Sequence, residues 1–350
     1  DAVNELAVTD NAVACNGGVA HPPGFPLHSL LGHLACAIPW STPAARVGAV
    51  SLVAALGAVL LLFLAVVRLT ESTWAALVAG LTLATGAGFW RHASLAEVFA
   101  LHVALSLLVV VTALRTAAST SIRSHFVWAT LTGLTAGLAL TVHHSAVFVL
   151  PLAALVVIRP WRGRWAGGLR LLGAATGAAV GLTPRLYLLL ADPQRAPRWG
   201  DTSTWSGLLH HLLRRDYGTF TLSVGGAAAP LQNVGHFLRL LPIQLGGALI
   251  LAAGAGWWAL VRHGIGRGAA PAGLAGTRRD VAGTLALLPW LAGPGFLLLF
   301  NIDPSGIGGQ VVERFHLLPN ALLALMVGVG VAALERFAES SAVREPGGRG

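Results

Sequence analysis

Long apolar runs, separated by short polar segments, dominate this chain. They fall at roughly 45–69, 73–89, 97–114, 125–141, 145–158, 171–190, 237–261, 281–300 and 317–335. About 20 apolar residues in helical conformation are needed to cross the hydrocarbon core of a bilayer. The pattern therefore predicts an all-α integral membrane protein, a polytopic bundle of about nine spans. Several runs are short or contain Gly or Pro, which neighbouring helices accommodate by re-satisfying the backbone. The 125–158 region reads equally as one broken hairpin around His143 and His144. Ahead of the first run, the prolines of His21-Pro22-Pro23-Gly24-Phe25-Pro26 forbid a regular helix. Leu27, Leu30, Leu31 and Leu34 then recur at helical spacing, with His28 and His33 among them, which predicts an amphipathic helix lying in the membrane interface.

Composition agrees. The chain is 55% hydrophobic and 11% charged over 350 residues, less than half the charged fraction of an average soluble protein. The net charge of +9 comes from 23 basic residues, all arginine. They sit in short loops between apolar runs, so no nucleic-acid partner is expected. Arginines concentrate in 115–124, 159–170, 262–280 and the segment after 336, and the positive-inside rule makes these cytoplasmic. The predicted layout is a first extracytoplasmic loop with its interfacial helix (1–44), transmembrane helices (45–190), an extracytoplasmic loop (191–236), further transmembrane helices (237–337) and a cytoplasmic tail (338–350). Cys15 and Cys36 fall in the first outer loop, either as a disulfide or as two free thiols.

The predicted outer loops carry the unusual polar chemistry. Asp1 and Glu5 precede the stiff segment and can act as a carboxylate base presented at the surface. Trp90-Arg91-His92 leads to Glu97 at the lip of a span, where an acid needs a partner, either Arg91 or a substrate. His143 and His144 read as polar contacts lining a cavity, too divergent on a helix to share a metal. Arg198, Trp199 and Asp201 precede an apolar stretch through Leu213. Asp201 reads as the N-cap of a helix there, whose start beside Arg198 could receive a phosphate or sugar. Arg314, between Glu313 and Phe315, is suited to bidentate phosphate binding. His21, Arg91, His92, Glu97, His143, His144, Arg198, Trp199, Asp201 and Arg314 are thus the candidate substrate-binding residues, and no metal-binding pattern is present.

An ordered set of motifs resembles a bacterial multi-spanning family related to protein O-mannosyltransferases, within the GT-C glycosyltransferase superfamily. The matching pieces are Asp1 with Glu5-Leu6, Gly18 through Leu27, Ala96-Glu97-Val98-Phe99-Ala100-Leu101-His102, Trp199-Gly200-Asp201 through Tyr217, and Glu313-Arg314-Phe315. The resemblance implies a GT-C-like fold and a further span just upstream of residue 1. It also implies a catalytic carboxylate at Asp1, assisted by Glu5. The acidic pair is four residues apart where the family has three, and the stretch from Glu5 to Gly18 is long, so Asp10 and Glu5 stand as alternatives for the base.

The implied activity is transfer of a sugar, mannose by the resemblance, from a polyprenyl-phosphate carrier to a Ser or Thr hydroxyl of an exported protein. The expected setting is the extracytoplasmic face of a bacterial inner membrane, among membrane lipids. The lipid-linked sugar is a co-substrate, and no cofactor is expected, a divalent metal being optional. The rival reading is a transporter or flippase for a lipid-linked or small polar substrate. Transporters place polar groups near the midplane and often contain inverted repeats. Here the charges gather at span ends and no repeat is detected.

Overall fold

The computed structural model describes residues 13–158, 164–191, 198–217, 230–264, 275–299 and 302–344. Among them the chain is helical throughout, with a single isolated bridge between Val19 and Arg198 in place of any sheet. The interfacial helix α1 spans Pro26–Cys36. Its leucines face outward or lie half-buried, Leu34 being 64% exposed, while His28 and Ser29 are buried toward the bundle. Leu27 and Leu31 pack against the large core, and Leu34 is left at the surface.

Helix α2 (Pro43–Thr70) starts where the sequence supplies a complete cap: Ala45 N–H donates to Thr42 Oγ1, and Pro43 occupies the first turn. It ends at Glu71, in the left-handed region at φ 62°. There follow α3 (Thr73–Thr85), α4 (Ala87–Ala93), α5 (Phe99–Ala118) and α6 (Ile122–Val142). A 3-10 turn, His144–Val149, leads into α7 (Leu150–Ile158), as the broken-hairpin reading expected. Helix α8 (Arg164–Leu182) packs on α6 through a glycine seam: a Cβ at Gly133 or Gly177 would collide with the backbone carbonyl of Ala174 or Thr130. The remaining helices are α9 (Trp205–Leu212), α10 (Pro230–Leu245), α11 (Leu249–His263), α12 (Ala275–Trp290), α13 (Gly306–Glu313) and α14 (Leu317–Arg344).

Among the described residues, four helices are long and apolar enough to cross a membrane: α2, α5, α6 and the continuous 306–341 segment ending in α14. Two expected spans are bent pairs instead. The 73–89 run breaks by 67° at Gly86, and the 237–261 run, which begins earlier at Pro230, breaks by 106° between α10 and α11. The breaks touch: Gly88 N–H donates to Gln244 Oε1 at 2.9 Å, and a Cβ on Gly88 would lie 2.8 Å from the same amide. Among the described residues, the runs at 145–158, 171–190 and 281–299 are not among these spans: the first is short, the second passes through a 3-10 turn at Thr183–Leu186, and the last through a π turn at Leu291–Gly295. One large apolar core joins α2, α3, α5, α6, α7, α11, α12 and α14.

Candidate active site

The alternate loops predicted to share one face do meet at one end of the bundle. Trp199 N–H donates to Val19 O at 2.9 Å and the Tyr187 hydroxyl to Gly18 O at 2.8 Å, tying the segment after residue 13 to the loop around Trp199. Gly24, at φ 89°, turns the proline segment back. A Cβ there would lie 2.9 Å from His211 Nε2, so only glycine fits. A Cys15–Cys36 disulfide with a Cα separation of 5.3 Å fastens the same segment to α1, choosing between the two readings of those thiols.

The centre of this end is an ion cluster around Glu97. His92 Nδ1 lies 2.8 Å from one carboxylate oxygen, and Arg314 Nη2 lies 3.3 Å from the other. Ser51 on α2 fixes the backbone of Glu97 by donating to its carbonyl and accepting from its N–H. Burial pushes the Glu97 carboxyl up. The His92 hydrogen bond and the charges of Arg314, His92 and Arg91 outweigh that and hold it below the usual carboxylate range. Glu97 therefore stays ionised. Its partner is not Arg91, the residue nearer in sequence. Arg91 turns outward to Glu313 at 3.8 Å and donates to Gln310 at 3.2 Å, and Glu313 is also 3.5 Å from His236.

Beside the cluster runs a chain of rings. Phe25 stacks on His143 at 6.0 Å, and His143 adjoins Phe99, Phe315 and His102 at 5.1–5.7 Å. Arg314 sits over Phe99 at 6.0 Å, and His21 joins Phe25 to Trp199. Ser145 Oγ bridges His143 Nδ1 at 2.7 Å and His102 Nε2 at 2.9 Å. Phe99, His102, Ser145, Phe296, Arg314 and Phe315 pack closely around one small gap here. The site thus offers a cation beside an aromatic wall and a hydroxyl held by two imidazoles, a setting for an anionic head group carrying a polar ring.

Of the sequence candidates, His92, Glu97 and Arg314 form the cluster, His21, His143 and Trp199 join the ring chain, and Arg91 lies at the rim. His144 begins the 3-10 turn, half-buried. Arg198 serves its own loop, donating to Gly200 O and Thr202 Oγ1 and lying 3.5 Å from Asp201. Asp201 is not the helix cap. Thr204 caps α9 by accepting from Gly207 N–H, because Asp201 is one turn too early and instead accepts from Ser203 N–H in a local turn. Asp1, Glu5 and Asp10 lie outside the described residues. Sequence reading missed Ser51, His102, Ser145, Phe99 and Phe315 as site residues. A histidine inside an apolar span is a functional flag, so His102 was the one with a signal.

This bundle defines the class. It superposes on ArnT from Cupriavidus metallidurans, both in the apo state and bound to undecaprenyl phosphate, with a TM-score of 0.59 and 14% identity. The match covers 97% of this chain and 56% or 58% of that one. The chain therefore has the GT-C membrane fold. In sequence, residues 11–164 match the protein O-mannosyl-transferase TMEM260 N-terminal domain family. Protein O-mannosyl-transferase TMEM260 of Mus musculus is 28% identical over 91% of this chain, and the Dictyostelium discoideum protein 27% over 67%. The chain is related to these O-mannosyl-transferases and spans 44% and 31% of their respective lengths.

Proposed function

We propose that this chain carries the catalytic site of a membrane glycosyltransferase that moves mannose from a polyprenyl-phosphate carrier to a Ser or Thr hydroxyl of an exported protein. The observation that carries this reading is the Arg314–Glu97–His92 cluster, set beside an aromatic wall in a chain related to O-mannosyl-transferases. The ArnT structure that holds undecaprenyl phosphate on the same fold supports a lipid-phosphate donor.

The acceptor oxygen attacks the anomeric carbon as the bond from that carbon to the carrier phosphate breaks, inverting the centre. The hydroxyl proton passes to a carboxylate, assigned to Asp1 with Glu5 assisting. The polyprenyl phosphate leaves with the bonding electrons, and Arg314 stabilises its growing charge. Phosphate is a good leaving group and needs no protein acid. Glu97 and His92 hold Arg314 in place, while Phe99 and Phe315 wall the sugar from bulk solvent.

The test is transfer of labelled mannose from polyprenyl-phosphate mannose to a Ser/Thr-containing peptide by purified protein in lipid. Transfer with inverted anomeric configuration is expected. Donor binding without transfer, combined with movement of the lipid-linked sugar between leaflets, would instead favour a flippase.

A further inference from the structure

The opposite end of the bundle holds a second feature, independent of the sugar-transfer reading. Helix α5 starts beside Glu97, α2 passes it at Ser51, and both run away from it in parallel. Ser51 on α2 bonds Glu97, and Arg68 lies 17 residues further on. Phe99 opens α5, and Arg115 lies 16 residues further on. At 1.5 Å per residue both arginines are roughly 25 Å from the candidate active site, close to the thickness of a hydrocarbon core. They meet across a groove of about 370 Å³ lined by Leu64, Ala65, Val67, Val111 and Glu71.

One arginine in the last turn of a helix is explained by the helix dipole. Two arginines converging on one apolar groove are not, because their charges repel. Among the described residues neither is within ion-pair distance of a carboxylate, although Glu71 stands exposed at the groove's edge. Arg115 rests on the Trp128 ring at 5.5 Å. Arg68 Nε is shielded from solvent with no hydrogen-bond acceptor, and a donor left so is costly. Leu64, at the groove's apolar side, is 43% exposed. We propose that this groove binds the phosphate of an anionic phospholipid, with Arg68 and Arg115 on the head group and an acyl chain along Leu64 and Val111. A lipid phosphate supplies both the counter-charge that the two guanidinium groups lack among the described residues and the apolar tail the groove fits, whereas a free phosphate would leave the apolar half uncovered. The arginine-rich loops on this side agree with an anionic leaflet.

The test is a thermal-shift and native mass-spectrometry titration of the delipidated full chain in neutral detergent. Phosphatidylglycerol, phosphatidylcholine and inorganic phosphate are the three probes. Phosphatidylglycerol should stabilise the protein, with about tenfold weaker apparent binding in R68Q/R115Q and tighter binding in Glu71→Gln. Arg123→Gln, an exposed arginine at the same end, should bind as the parent does. Full binding in R68Q/R115Q, or an equal effect of phosphatidylcholine, overturns the site. An equal effect of inorganic phosphate overturns the lipid assignment. If the double variant does not fold, Glu71→Gln decides: unchanged phosphatidylglycerol binding there overturns the proposal.

Discussion

Arg314 and Glu97, 217 positions apart in sequence, face each other at 3.3 Å across the end of the bundle, with Phe99 beneath the guanidinium. An arginine so held is already oriented and partly desolvated before any substrate arrives, so a phosphate that reaches it loses little to reorganisation. Arg314→Ala should weaken donor binding by about tenfold or more, the cost of a charge-assisted hydrogen bond. Arg123→Ala at the far end should not. Isothermal titration with a polyprenyl-phosphate sugar in detergent checks this, and unchanged affinity in Arg314→Ala reduces that residue to a structural anchor.

The base is tested by Asp1→Asn, Glu5→Gln and Asp10→Asn. Loss of a general base commonly lowers the rate by about 10²–10⁴-fold. Asp1→Asn should abolish transfer while keeping donor binding, Glu5→Gln should impair it, and Asp10→Asn should matter little. A dead Asp10→Asn variant would move the base along the loop. Full transfer in all three would remove this loop from catalysis.

Sidedness follows from the arginine distribution. Membrane-impermeant labelling from the extracytoplasmic side should modify a cysteine at Ser206 and spare one at Arg123. Both positions are exposed, and Cys15 and Cys36 are joined to each other, so the background is low. The reverse pattern would put the candidate site on the cytoplasmic face.

Stability should fall on acidification. Burial pulls the His211 imidazole down to about 4, with Asp216 opposing in part, so the folded protein keeps it neutral. The unfolded chain takes up a proton near 6.5, the ordinary imidazole value. His211 therefore contributes stability that is full above 6.5 and lost as pH falls from 6.5 toward 4. Glu97, also lowered, acts in the same direction further down the scale. Melting temperature in detergent should drop between pH 7.5 and pH 5, with a shallower slope in His211→Gln. An identical slope would show that other groups carry the dependence.

The disulfide closes a loop with a sequence separation of 21 residues. Replacing both cysteines by serine should cost about 3 kcal/mol, read as a lower melting temperature. Intact mass should also show that the parent chain lacks two hydrogens relative to its reduced form.

The spans were readable because lipid demands long apolar stretches, and α1 was readable from Leu27, Leu30, Leu31 and Leu34. The partners of Glu97 were not. Sequence favours Arg91, six positions away, whereas packing of distant helices brings Arg314. Thr204 was passed over as a cap because Asp, Thr and Ser all accept from a backbone N–H, and only the register of the following turn decides among them. The helix breaks also escaped notice, since Gly86 and Gly246 interrupt runs that stay apolar on both sides.

The contact between Gly88 and Gln244 has a consequence for how such chains can diverge. A side chain at position 88 has no room unless residue 244 shrinks, and a shorter residue 244 leaves the Gly88 N–H without its acceptor at the break. Neither position can drift alone. In relatives that keep both kinks, the two should change together across 156 positions of sequence, leaving a record in aligned sequences that the bent helices touch.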